Sequence, residues 1–314
     1  MLRYLIGRLL LAVPTLFLVA ICVFGLIRLV PGDPALLILG DRATPETLLA
    51  LQQRLGLDQP VPTQFMAWLA NALSGNLGRS IATDQAVLPL VLERFWVSAQ
   101  IVLPAVLIAA FLAVPAGLFA AWRQNQWGDT ALVALSTVLL SVPTFWMGLL
   151  LLLVFALQLR WLPVVGYVSM SENILAGSIY VLMPVATLVL HELGGLLRMM
   201  RASSLEVLRL DYITHARAKG LTEGAVLWCH AFRNAFGPTW TLLGLVMGNL
   251  LGGIAVVETV FTIPGLGRLL VDAIFSRDYP VIQGALLLIA LVYVLVNLLV
   301  DLVYPLFDPR VAAA

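Results

Sequence analysis

VSAQIVLPAVLIAAFLAVPAGLFAAW, residues 97–122, contains no charged side chain. A membrane-spanning helix needs about 20 consecutive, mostly apolar residues to cross the hydrocarbon, and this stretch exceeds that length. Four further stretches are equally free of charge: Leu9–Ile27, Ala131–Leu159, Pro238–Val257 and Pro280–Val300. A sixth, Ile174–Leu197, is interrupted only by His191 and Glu192. The pattern predicts an all-α polytopic membrane protein with six transmembrane helices and an extracytoplasmic insertion after the first helix.

Composition agrees. Hydrophobic residues make up 61% of the 314-residue chain and charged residues 11%, where a soluble domain carries about 25% charge. So little charge cannot clothe a water-facing surface, so lipid is the main solvent. The net charge of +1 says nothing about nucleic acid, and no basic run supports such a partner, so none is expected. Cys22 and Cys229 fall in different layers and are not expected to pair; they leave the redox compartment undetermined. The opening MLRYLIGR is followed by an apolar run longer than the ~7–15 residues of a cleavable signal core, with no A-x-A site. It reads as a retained first helix.

Orientation follows from arginine and lysine in the short loops. The loop between spans four and five holds Arg198, Arg201, Arg209, Arg217, Lys219 and Arg233, and Arg3 and Arg8 flank the first span. The opposite side holds only Arg160, Arg268 and Arg277 in its short loops. Both termini and the basic loop are therefore expected to be cytosolic. The domain reading is residues 1–30 as cytosolic N-terminus and first span, and 31–96 as an extracytoplasmic subdomain. Residues 97–304 form a five-helix core that includes the cytosolic loop 203–237, and 305–314 a cytosolic tail. The outer subdomain opens on PGDP (31–34), offers a short amphipathic helix over Glu46–Leu55 with Thr44 as its cap, and turns at Gly75 and Gly78. It is too small for an enzyme with its own core and suits a cap over a membrane pathway. Pro14, Pro104, Pro115, Pro143 and Pro184 lie inside spans. Such prolines fit helices that bend during opening and closing, and equally the ordinary abundance of proline in membrane helices. No internal repeat of the secondary-carrier kind is visible.

VLHELGG (189–195) begins like the H-E-x-x-H of a zinc protease, but Gly195 stands where the second histidine ligand is required. His215 and His230 lie outside the spans. An ionisable residue within a span faces a cavity or a partner. Two readings of His191 and Glu192 stay open: a pair with an arginine or another subunit, or a place on a transport path for a cationic or metal-bearing cargo. A nucleotide-binding P-loop needs G-x-x-x-x-G-K-[ST]. The single lysine, Lys219, lies between Ala218 and Gly220, so any ATPase is another chain.

Within the basic loop, Leu205, Leu208, Tyr212, Ile213 and Ala216 follow helical spacing. Ser203 with Glu206 makes a capping box, unless the fourth span runs straight on. Gly220 ends the helix in a left-handed conformation. Thr222 caps a second helix through Trp228 and His230, up to a break at Gly237-Pro238. Such an element fits either the lipid headgroups or a groove on a partner protein.

YITHARAKGL (212–221) followed by HAFRNA (230–235) resembles the coupling loop of ABC-transporter permeases, in particular those of the dipeptide, oligopeptide and nickel importer group. PGDP (31–34), LGLDQP (55–60), LGRS (77–80), PGLGRLLVDAI (264–274), RDYPVIQG (277–284) and DPR (308–310) have counterparts in that group in the same order, so the resemblance covers nearly the whole chain. Departures are Thr214-His215 where a basic residue and threonine are usual, Asn76 for an acidic residue, and Gly237 for a bulky apolar one.

The resemblance implies a type I ABC importer permease fold in a bacterial inner membrane, and a heterodimer with a second related permease. It further implies two cytosolic ATPase subunits, which bind ATP and magnesium, and an extracytoplasmic binding protein. This chain itself carries no cofactor, metal or catalytic site. Tyr212, Ile213, Ala216, Arg217, Ala218, Lys219, Gly220, His230, Arg233 and Asn234 are the implied ATPase coupling residues. Their apolar face would fill a groove, with Arg217, Lys219 and Arg233 at its rim; a second reading has Arg217 and Lys219 only enforce topology. Peptide is the implied cargo, with nickel, a metal chelate or glutathione as alternatives. A self-contained channel or secondary carrier is the alternative of a different class.

Overall fold

The computed structural model describes residues 2–29, 44–54, 58–170 and 172–307. The PGDP and DPR motifs, residues 55–57 of LGLDQP and the end of the C-terminal tail lie outside these residues. Among the described residues the regular structure is helical, with one isolated β-bridge between Arg79 and Ala86. The chain divides into two compact units, one comprising Met1–Leu9, Phe95–Arg268 and Val292–Ala314, the other Leu10–Arg94 and Leu269–Leu291.

The second unit holds most of α1 (Leu2–Leu29), then α2 (Pro45–Arg54) and α3 (Val61–Leu73). Thr44 caps α2 as expected, its hydroxyl accepting from the Thr47 amide at 3.2 Å. The rings of Phe17, Phe24, Phe65 and Trp68 interlock in edge and tilted contacts, with Phe24 and Phe65 centroids 5.2 Å apart. Burying such rings is favourable, and their edge-to-face geometry adds to it. The chain then turns at Gly75 and Gly78, both at φ +83, a region that favours glycine. Asp278 secures this loop: its carboxylate accepts from the Ser80 hydroxyl and from the amides of Ile81 (3.1 Å) and Ala82 (3.3 Å). LGRS and RDYPVIQG, far apart in sequence, thus meet in space.

The first unit is a helical core. It contains α4 (Val87–Trp122) from Phe95 onward, α5 (Trp127–Ser141), α6 (Thr144–Leu151) with its π-helical continuation Leu152–Gln158, and α7 (Ile174–Leu208). α8 (Asp211–Ala218), α9 (Phe232–Gly253), α10 (Ala255–Val260) and the start of α11 (Leu266–Phe275) follow, with α12 (Tyr279–Val303) joining from Val292. Ile101, Val102, Leu188, Leu196, Ile254 and Ile263 anchor its main cluster. In lipid, helix association depends on close packing of small residues more than on hydrophobic burial. A Cβ on Gly117 of α4 would lie 2.7 Å from the Met200 side chain of α7, and one on Gly248 of α9 2.4 Å from the Tyr293 ring of α12.

The helices depart from six simple spans. Among the described residues four are long and apolar enough to cross a membrane: Gly7–Gly25, Val87–Trp122, Ile174–Leu208 and Tyr279–Leu306. The third expected span is broken, its halves Trp127–Ser141 and Thr144–Gln158 meeting at 98°. Pro143 is responsible: it cannot donate, and it drives Val142 to an extended backbone (ψ 121). By contrast, α1, α4 and α7 run unbroken through Pro14, Pro104, Pro115 and Pro184. The fifth expected span, Pro238–Val257, is also different. α9 begins at Phe232, passes through Pro238 and stops at Gly253, and α10 follows after a turn at Ile254. The glycines, threonines and Asn249 of α9 lower its hydropathy. Burial of Ala235, Gly237 and Thr239 holds the helix through the bond that Pro238 cannot make, so the break expected there does not occur.

Candidate functional site

The basic loop emerges from the end of α7. Ser203 does not cap a helix: it lies inside α7, its hydroxyl donating to the Met199 carbonyl at 3.0 Å, so the fourth helix runs on to Leu208. Leu210 then takes an extended conformation (ψ 146) and α8 starts at Asp211. Asp211 in the first turn and His215 and Arg217 in the last both suit the helix dipole. The expected single face from Leu205 to Ala216 is therefore split between two helices. Ile213 and Ala216 are buried against Val207, Val226 and Leu227 of the chain's own core, while Tyr212 is exposed. The inward face of α8 is thus already occupied. What remains outward is Leu210, Tyr212, Leu221 and Trp228, with His215, Ala218 and Lys219 beside them.

Gly220 ends α8 with φ +82. Its amide donates to the Arg217 carbonyl at 2.9 Å, and the Leu221 amide to that of Ala216 at 3.4 Å, the paired bonds of a Schellman turn. Thr222 caps the next turn by accepting from the Ala225 amide at 3.4 Å, and the chain continues through π-helical Val226–Ala231 into α9. Across this turn Arg217 grips Glu223 with two hydrogen bonds, Nε to Oε1 at 2.8 Å and Nη2 to Oε2 at 3.1 Å. The Arg217 hydrogen bond holds the Glu223 carboxyl below its ordinary value. Asn234 donates to the Tyr212 hydroxyl at 2.8 Å and to the His230 carbonyl at 3.2 Å, tying α8 to α9. Arg233 is exposed on the outer side of α9, and His230 is half-buried, with Nδ1 3.5 Å from the Ala225 carbonyl. Arg217 is thereby braced to Glu223 and Tyr212 to Asn234, whereas Ile213 and Ala216 support α8 from within.

His191 and Glu192 lie elsewhere, halfway along α7. They line a cavity of about 220 Å³ with Thr144, Leu188, Leu250 and Val257. His191 Nδ1 is buried and has no hydrogen-bond partner among the described residues. The nearby arginines of α7 are engaged otherwise: Arg201 with Asp129, and Arg198 with the Thr137 hydroxyl at 3.2 Å.

Three carboxylates escaped the sequence reading. Glu223 carries a faint signal, an acid just after a capping threonine. Asp129, 3% exposed, receives Arg201 Nε and Nη2 at 2.5 and 2.7 Å and the Asn125 amide at 2.9 Å. Fully buried Glu258 accepts from the Ser98 hydroxyl and, at 2.8 Å, from the Arg268 amide. The PGLG turn leaves room for this carboxylate, because a Cβ on Gly265 would lie 2.0 Å from Glu258 Oε1. Only an acidic residue shortly before a glycine turn hints at this contact in the sequence. Cys22 and Cys229 are both free thiols.

Residues 113–313 match the family described as the binding-protein-dependent transport system inner membrane component, and residues 1–107 match its N-terminal region. A probable peptide ABC transporter permease protein of Sinorhizobium fredii is 41% identical, over 98% of each chain. A putative peptide transport system permease protein of Brucella abortus is 42% identical, over 96% of each. A glutathione transport system permease protein of Escherichia coli is 41% identical, over 99% of each. The chain belongs to the binding-protein-dependent inner-membrane components of ABC transporters: it is a multi-pass permease, the membrane component of an importer.

Proposed function

We propose that this chain forms half of the translocation pathway of an ATP-driven importer for peptides, and that its energy comes from separate ATPase subunits. The peptide assignment is supported by the names of relatives that align along nearly the whole chain. The 41% identity to a glutathione permease supports a second reading, glutathione, itself a small peptide. The sequence offers no Walker lysine, since Lys219 stands in A-K-G, so ATP and magnesium belong to the partner chains.

In this reading the partners are a second related permease, two ATPases and an extracytoplasmic binding protein. The termini and the loop 203–237 face the cytosol, and 31–96 faces outward. The coupling element is the outward edge of α8 and its turn. The observation that carries this reading is that α8 has already buried Ile213 and Ala216 in its own chain, yet still exposes Leu210, Tyr212, Leu221 and Trp228 around a braced turn. Exposed apolar groups on a rigid element beside Lys219 and Arg233 suit a groove with a polar rim. Tyr212, Arg217, Ala218, Lys219, Gly220, His230, Arg233 and Asn234 shape or line that contact, and Ile213 and Ala216 hold it from behind.

Gentle detergent purification of the tagged chain from its host tests the proposal. Co-isolation of a second permease and Walker-containing ATPases, with ATP-dependent peptide uptake on reconstitution, is the expected result. A lone chain that moves solute unaided would overturn it and restore the carrier alternative.

A further inference from the structure

His191 stands at the middle of α7, a 35-residue helix. At about 1.5 Å per residue, its cavity therefore lies inside the span, roughly 9 Å from the end of the apolar stretch at Leu197. An ionisable side chain at that depth is costly unless something compensates it. No ion pair or hydrogen bond to Glu192 occurs among the described residues, and buried His191 Nδ1 also has none. The cavity sits where other helices fail. Thr144 begins α6 just past the 98° break, and Gly253 ends α9. Leu188, Leu250 and Val257 make the remaining wall apolar.

We propose that this cavity recognises the free ammonium group of the cargo, with Glu192 as counter-charge and the Thr144 hydroxyl and His191 imidazole as further acceptors. This rests on the importer reading above. An ammonium carries three N–H donors, and three acceptor-bearing side chains line the cavity. A bare hard cation fits poorly, because calcium or magnesium wants about six oxygen ligands and only Glu192 and Thr144 offer side-chain oxygens here. The volume, about 220 Å³, is below the ~300–1,000 Å³ of pockets that engulf a whole drug-sized ligand. It suits one charged end of a longer molecule in passage. The single carboxylate gives attraction without a cage, which transport requires, since a cargo that binds must also leave.

The test uses the full chain in lipid nanodiscs, with alanyl-alanine and N-acetyl-alanyl-alanine as probes in ligand-detected NMR. Wild type should bind the free-amino dipeptide. Glu192→Gln should weaken that binding by roughly tenfold or more, because a charge-assisted hydrogen bond is lost. Glu192→Asp should restore most of it, and the acetylated dipeptide should not distinguish wild type from Glu192→Gln. A matching gel-filtration profile for both variants shows that they fold. Equal binding of alanyl-alanine to wild type and Glu192→Gln overturns the proposal. So does loss of the second permease from the purified complex with dipeptide binding intact, which would make Glu192 a subunit contact. ATP-driven uptake of alanyl-alanine by the assembled importer separates the two levels. Uptake indifferent to Glu192 overturns this site alone. Absent uptake with Glu192-dependent binding overturns the cargo assignment alone.

Discussion

Arg217 and Glu223 close the turn after α8 on itself, with Nε–Oε1 at 2.8 Å and Nη2–Oε2 at 3.1 Å across Gly220. Arg217 is therefore engaged within the chain, and Lys219 is the exposed cation at the tip of the turn. The two residues should behave differently when changed. Lys219→Glu should weaken ATPase association by mass photometry or pull-down and leave the turn intact. Glu223→Gln should loosen the turn, visible as faster amide exchange over residues 219–225. Both side chains are well exposed, 39% and 40%, so the pair contributes at most about 1 kcal/mol.

The same pair sets a pH dependence. The Glu223 carboxyl is lowered from its ordinary value by its bond to Arg217, so folding into this turn favours the ionised form. That contribution is complete above the unfolded value, near 4.5, and fades as pH falls through the lowered one. Amide protection of residues 219–225 should be flat from neutral pH to about 5 and then decline in wild type. In Glu223→Gln it should be lower and show no such acid step.

Gly220 is a backbone requirement with no packing requirement. Its φ is +82, and a Cβ there would meet nothing within 4 Å. Gly220→Val should cost about 1–2 kcal/mol, the penalty of a left-handed L-residue, and Gly220→Asn much less. The expected signature is peptide-stimulated ATP hydrolysis that falls for valine and persists for asparagine, with membrane insertion unchanged. Equal activity of all three would remove the turn from the coupling scheme.

Asp278 holds the 80–82 loop through three acceptor bonds while only 3% exposed. Asp278→Ala leaves the Ile81 and Ala82 amides without their acceptor, at about 1–3 kcal/mol for each that stays buried. Limited proteolysis of oriented vesicles should then cleave between Gly75 and Ala86. Ser80→Ala removes one donor to the carboxylate and the acceptor of the Thr83 amide, but leaves the carboxylate its two amides, and should be cleaved more slowly than Asp278→Ala.

The Asp129–Arg201 pair is mostly buried, with side-chain exposures of 4% and 23%. Arg201→Ala strands a carboxylate in the core and should cost about 3–5 kcal/mol. Arg201→Lys cannot reproduce the two-pronged contact and should recover only part. The double variant Asp129→Asn with Arg201→Met removes both charges together and should be milder than Arg201→Ala, as thermal unfolding in detergent will read.

The separation of these features into local and long-range kinds explains what was legible beforehand. Apolar runs marked every region that became a long helix, because lipid demands uncharged length. The turn at Gly220 and the caps at Thr44 and Thr222 were readable too, since each depends on residues within one helical turn. Pro143 read as one of the prolines inside spans and Gly237-Pro238 as a helix break, yet α9 runs through Pro238 and the third span breaks by 98° at Pro143. The difference lies in the buried neighbours that hold α9 in place, and no periodicity records them.

The sequence by itself determined that this chain lives in lipid, that it is helical, and where its basic loop falls, because composition, hydrophobic length and turn chemistry act along the chain. Only the tertiary structure decided which surface each face meets. It buried Ile213 and Ala216 inside the molecule, left Tyr212 and Trp228 outside, and joined Ser80 to Asp278, 198 residues away. A helical period announces that an apolar face must be covered, but lipid, the chain's own core and a partner protein all satisfy it equally. Which of them does so depends on contacts that exist only after the chain has folded back on itself.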